Sequence, residues 1–360
     1  MSVSLRSAQS WDRQLFGAAL TLVLASSLAM ASASVTIDPS VAVRHGVWIV
    51  LGLLAYFGVA RSNYRRWGHL AIVAYGVSLL VLALVLAVGS MRLGATRWIS
   101  LFGFSVQPSE LAKLTTIWLL TQYLAGQPQP LPPRVLLTTL IIVGPPALLI
   151  LIQPDLGSAT IFGAFWLGIV WVAGVSRVVM VWGLGYGAAL LPVVWYLLRD
   201  YQRDRLLVFL NPHADPLGAG YTIIQSIIAI GSGQLGGRGW FAGTQNQLSF
   251  LPERHSDFIF SVIGEEWGFL GCLVVVGAFG VLLFRAARIA LETSEPQGRL
   301  LAAGIFSWIA YQAFVNMGMV MGMLPVVGVP LPLVSYGGSS MVTLWIALGF
   351  LQAIRRANLE

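Results

Sequence analysis

Long apolar runs separated by short polar stretches dominate the chain, and their lengths predict helices rather than strands. Ten runs are long enough to cross about 30 Å of hydrocarbon: residues 14–32, 43–61, 68–89, 109–125, 134–152, 156–174, 177–197, 258–284, 301–324 and 337–354. The pattern predicts an all-α polytopic membrane protein of about ten transmembrane helices. The first run follows Arg6 and Arg13 and ends in AMASAS, which also fits a signal peptide with a small-residue cleavage site. Between the seventh and eighth runs lies a polar segment, 198–257, too long for a simple connection. Within it YTIIQSIIAIGSG, Tyr221 to Gly233, fits a re-entrant or interfacial helix, with GSGQLGGRGW as the turn out of it. With no internal repeat, low-complexity tract or soluble domain, residues 1–360 read as one integral-membrane domain.

Composition agrees: 57% of residues are hydrophobic and 10% charged, and the mean hydropathy is +0.80. The pI near 9.9 does not point to nucleic acid, because the basic residues are dispersed through short loops. Arginine accumulates in alternate connections, including Arg61, Arg65, Arg66, Arg285, Arg288, Arg355 and Arg356, which predicts both termini on the cytoplasmic side. Parity then places 94–110, 153–158, 198–257 and 325–340 together on the outer face. Any chemistry is expected there. Cys272 is the only cysteine, which excludes a disulfide framework and a cysteine metal site.

Four carboxylates mark the mouth of the eighth run, in FLPERHSDFIFSVIGEEWGFLG. Asp257 either caps that helix or acts as a general base toward a sugar or lipid hydroxyl, tuned by His255 and Glu253. Glu265 and Glu266 lie roughly 12 Å deeper at 1.5 Å per residue. At that depth an interhelical hydrogen bond is the simpler role. Glu110 and Lys113 stand at i and i+3, close enough to pair. Lys113 is also the sole lysine in an arginine-rich chain, which points to contact with a phosphate or hydroxyl of a ligand. Asp155, with Ser158, can cap the sixth run or line a cavity. Arg97 can anchor beside Trp98 or bind an anionic headgroup. SYGGSS, with Ser335 and Ser339, opens the tenth run as a helix start able to hold phosphate, or as a cap and packing surface.

The blocks RWISLFGFSVQPSELAK, QPDLGSA, RLLVFLNPHADPLGAGYTIIQSIIAIGSGQLGGRG, GTQNQLSFLPERHSDFIFSVIGEEWGFLG and NMGMVMGMLPVVGVPLPLVSYGGSS run in this order from Arg97 to Ser340. Together they resemble the SEDS proteins (shape, elongation, division and sporulation). FLNPHADPLGAGY and FLPERHSDFIF are closer to the elongation, RodA-like members than to the FtsW-like division members. The chain departs from the family in LFGF and in VVGVPLP, without losing a charged motif residue.

The resemblance implies a peptidoglycan glycosyltransferase that polymerises lipid II at the outer face of the bacterial cytoplasmic membrane and releases undecaprenyl diphosphate. A class B penicillin-binding protein is the implied partner. The aspartate of the family's PExHxDF motif maps to Asp257, the Glu and Lys of QPSELAK to Glu110 and Lys113, and the QPDLG aspartate to Asp155. On this basis Asp257 is expected to be catalytic. Arg97, Glu110, Lys113, Asp155, His255, Ser335 and Ser339 are expected at the substrate, and a divalent cation (Mg2+ or Mn2+) on Glu110 or Asp155. A lipid II flippase or other transporter, an FtsW-like division polymerase, and a non-catalytic scaffold are the competing functions.

Overall fold

The computed structural model describes residues 11–35, 38, 40–88, 90–92, 95–101, 104–198, 200–212, 215–218 and 220–359. Arg6, which precedes the first run, lies outside them, as do parts of the segment 94–110. The chain begins with helices α1 (Arg13–Ser34), α2 (Ser40–Arg61) and α3 (Leu70–Val88), then strands β1 (Ser90–Arg92), β2 (Ala95–Leu101) and β3 (Phe104–Val106). Helices α4 (Pro108–Ala125), α5 (Pro133–Ile152), α6 (Leu156–Val172) and α7 (Arg177–Leu197) follow. The long polar segment forms α8 (Asp200–Leu210), α9 (Tyr221–Gly233) and α10 (Thr244–Gln247). The chain closes with α11 (Ile259–Glu292), α12 (Pro296–Val320) and α13 (Gly338–Ala357).

Each of the ten expected runs coincides with a helix. Six of them, α1, α2, α3, α5, α11 and α12, are long and apolar enough to cross a membrane by length and composition. Helices α4 and α13 carry charged residues and are mostly enclosed by protein, so their surfaces need not match lipid. The segment 94–110 is more ordered than a polar loop: β1, β2 and β3 make a small antiparallel sheet in sequence order.

The first helix is packed into the bundle. Its Leu15, Leu22 and Met30 are fully buried, and it packs along α11. At its start the Asp12 carboxylate accepts from the Leu15 amide and pairs with Arg285 of α11 at 2.7 Å and Arg355 of α13 at 3.5 Å. Elsewhere α13 lies along α2, and α12 packs against α11, α6 and α4.

The expected eighth span is longer than its apolar run, and it is broken. Gly268 leaves the helical region at φ 65°, ψ −159°. The break frees backbone groups that a membrane interior cannot satisfy, and the GSGQLGGRG turn after α9 supplies their partners. Arg238 and Gly239 amides donate to the carbonyls of Glu265 and Glu266 (2.9 and 3.0 Å), while Phe269 and Leu270 amides donate to the carbonyls of Gln234 and Leu235 (2.8 and 3.2 Å). A Cβ on Gly268 would lie 2.3 Å from the Gly237 nitrogen. No side chain fits there.

Candidate active site

Asp257 sits in the turn just before α11, and the helix starts without a side-chain cap. Capping therefore does not explain the carboxylate. The turn itself is held at consecutive carbonyls: His255 O accepts from the Tyr336 amide at 2.9 Å, Ser256 O from Ser335 Oγ at 2.5 Å, and Asp257 O from Asn316 Nδ2 at 2.9 Å. From the opposite side the buried Arg254 guanidinium donates to Ala33 O at 3.3 Å and to Asn246 O. Both acceptors sit at helix C-terminal ends, where the dipole favours a cation. Tyr336 also packs between the rings of His255 and His45, at 5.9 and 6.1 Å.

The electrostatics single out Asp257. Its side chain keeps some exposed surface but is crowded by protein; burial above all, helped by Glu253 and Asp155 and opposed by Arg205 and Arg97, brings its carboxyl up to about 7. Burial also lowers the basicity of His255, with Glu253 opposing; its Nε2 lies 4.0 Å from Glu253. Beside Asp257 is a narrow cleft whose walls include Arg97, Pro154, Gln202, Arg205 and Val327. Gly328 joins the two: at φ 70° it carries no side chain where a Cβ would stand 3.4 Å from Asp257 Oδ2 and 3.9 Å from Arg205 Nη1. A carboxyl that titrates near 7 thus stands next to a cleft with two guanidinium groups on its wall.

Arg97 is held by the turn between α5 and α6, through Gln153 O at 3.2 Å and Pro154 O, with Asp155 at 3.6 Å. Asp155 caps α6 by accepting from the Ser158 amide and hydroxyl, and it also accepts from Gln107 Nε2 at 3.3 Å. The other expected substrate contacts are interior. Lys113 is fully buried, 2.9 Å from Glu110, 3.3 Å from Gln312 Oε1 and 5.1 Å from the Trp308 ring centre. Ser335 Oγ is engaged by Ser256 O and the Leu331 amide, and Ser339 Oγ by the Gln107 amide. These hydroxyls join segments of the protein and are not open to phosphate. Glu110 and Asp155 do not form a cation cage either, since each faces a positive side chain of its own. Among the described residues no group of three or more His, Cys, Asp or Glu side chains is arranged to hold a metal.

Glu265 and Glu266 are buried joints. Glu265 receives the amides of Gln245 and Asn246 at the start of α10, and Glu266 receives Ser32 Oγ of α1 at 2.5 Å and Asn246 Nδ2 at 2.9 Å. Sequence reasoning gave no role to Arg205, Arg254, Gln312 and Asn316. Gln312 and Asn316 did carry a signal, because amides four residues apart in an apolar helix are costly in a membrane unless they are used.

The family model described as "Cell cycle protein", covering FtsW, RodA and SpoVE, matches residues 12–360. The chain belongs to the FtsW/RodA/SpoVE family. Peptidoglycan glycosyltransferase MrdB of Escherichia coli (strain K12) is 40% identical over 307 residues, 85% of this chain and 83% of that protein. Among solved structures, a chain from a peptidoglycan synthase complex that coordinates polymerization and crosslinking superimposes with a TM-score of 0.83 at 36% identity, covering 97% of this chain and 98% of that one. The rod shape determining protein RodA of Thermus thermophilus gives 0.73 at 32% identity, over 97% and 98%. The family assignment covers the whole helical bundle described above, and with it the membrane setting.

Proposed function

We propose that this chain is a peptidoglycan glycosyltransferase of cell elongation, which polymerises lipid II at the outer face of the bacterial cytoplasmic membrane. The observation that carries the chemistry is Asp257, a carboxyl held near neutrality by burial beside a cleft bearing Arg97 and Arg205. Asp257 takes the proton from the GlcNAc 4-hydroxyl of the acceptor lipid II. The resulting oxygen attacks the anomeric carbon of the growing strand's terminal MurNAc from the face opposite its diphosphate, so the centre inverts. The bond to the diphosphate breaks, and undecaprenyl diphosphate leaves with the electron pair, its charge stabilised by the guanidinium groups. Glu253 and His255 shape the field at the base. Glu110 and Lys113 support the site from the interior.

The arginine distribution supports cytoplasmic termini and an extracytoplasmic site. A class B penicillin-binding protein as crosslinking partner is supported by the likeness to a chain of a synthase complex. Reconstituted protein incubated with lipid II, with and without that partner, tests the function. Glycan ladders are expected. Movement of lipid II across the bilayer without ladders would instead mark a flippase, and neither activity would leave a scaffold.

A further inference from the structure

One face of α12 carries Trp308, Gln312 and Asn316 at successive four-residue steps. All three are fully buried. Asn316 Nδ2 has two hydrogens, and both are used: Asp257 O lies at 2.9 Å and Val329 O at 2.7 Å. Two carbonyl neighbours demand the amide nitrogen, since a flipped oxygen would face both acceptors. One turn earlier, Gln312 Oε1 accepts from Trp308 Nε1 at 2.7 Å and Lys113 Nζ at 3.3 Å. Both partners are pure donors, which turns Gln312 Nε2 toward Pro330 O at 2.8 Å. Two consecutive carbonyls of the segment after α12 are thus held by two amides of that helix, and one of those amides also grips the backbone of Asp257. The residue before Val329 is Gly328, which faces Asp257 Oδ2 and Arg205.

We propose that Asn316 is a positioning residue for the transferase reaction: its amide fixes the Asp257 backbone to Val329 and so sets the carboxylate's place against the wall of the cleft. Gln312, oriented by Lys113 and Trp308, fixes the same wall one residue further on. This gives the Glu110–Lys113 pair a function in the interior. Its ammonium orders an amide whose other end reaches the site, without touching substrate. The inference rests on the assignment of Asp257 as general base.

The test uses the full chain with its class B penicillin-binding partner, lipid II as substrate, and three variants: Asn316→Leu, Gln312→Glu and Asp257→Ala. Asn316→Leu keeps the volume and removes both donors. It is expected to lower kcat by about 10- to 100-fold, the usual cost of a displacement on the order of 1 Å, with KM for lipid II within about threefold. The acid limb of its kcat profile should also move to lower pH as Asp257 relaxes toward solvent. Glu253, His255, Asp155, Arg97 and Arg205, which face Asp257, are unchanged in this variant, so the displaced limb reports the base itself. Gln312→Glu keeps the acceptor for Trp308 and Lys113 but loses the donor to Pro330. It should lower kcat in the same way at smaller size, with kcat and KM as its readout because the added carboxylate itself acts on the acid limb, and it decides the matter if Asn316→Leu does not fold.

Wild-type kcat in whichever of these variants folds, together with an unmoved acid limb where that variant is Asn316→Leu, would overturn the proposal. So would a loss carried wholly by KM. Asp257→Ala separates the two levels of inference. If it still polymerises, the base assignment itself fails. If it is inert while Asn316→Leu and Gln312→Glu behave as wild type, only the positioning role fails.

Discussion

Asp257 binds its proton more tightly than an exposed aspartate, its carboxyl being lifted from 3.8 to about 7. Catalysis by the carboxylate therefore rises with pH and levels off above about 7. Below that, kcat/KM, which reports the free enzyme, should fall about tenfold per pH unit, as a pH profile of glycan synthesis will show. The effect on stability has the opposite sign. A raised native value means that the native state retains the proton where the unfolded chain has lost it, so stability declines as pH climbs from about 4 to 7. By pH 8 the ionised group costs up to about 4 kcal/mol. Asp257→Asn should accordingly raise the unfolding midpoint in detergent at pH 8, with a gain that shrinks toward pH 4, while abolishing turnover. Lys113→Met should do the reverse to stability, costing about 3–5 kcal/mol by leaving Glu110 buried and uncompensated. Adding Glu110→Gln should restore part of the loss in the same melting assay. The sequence marked Asp257, Arg97 and the Glu110–Lys113 pair, because charge in an apolar chain is conspicuous. It could not tell cleft from interior: Lys113 and Ser335 differ from Arg97 only in what other segments bring against them.

At the level of elements, the succession of helices was readable from apolar run length, since runs of that length in so apolar a chain form helices whether they meet lipid or protein. The break in α11 was not. GEEWGFLG reads as continuous helix, and only the backbone of the Gln234–Gly239 turn, from a different segment, makes the non-helical Gly268 tolerable. The re-entrant reading of Tyr221–Gly233 anticipated that a helix and a glycine turn would be needed, but not that they would fill a gap in their neighbour. Gly268→Ala should destabilise the protein by about 2 kcal/mol or more, because it combines a positive φ with a close backbone contact. Thermal unfolding in detergent measures this, and a wild-type midpoint would show that the turn can give way. The strands at 90–106 escaped sequence reasoning because their length is short and their pairing is local.

For the molecule as a whole, the polar segments that parity gathered on one face do meet. Arg97 reaches the α5–α6 turn, Gln107 meets Ser339, and the Asp257 turn is stitched to the segment before α13. Their meeting point is a cleft with a base and two cations, set in a bundle whose remaining surfaces suit lipid. A transporter would need its polar groups reachable from both sides, whereas here the interior pair Glu110–Lys113 is sealed by Gln312 and Trp308. The most direct test of the central claim is glycan synthesis from lipid II by purified Asp257→Ala protein with its class B penicillin-binding partner. The account predicts no glycan ladder from a variant that still folds and binds the partner; ladders at the wild-type rate would contradict it.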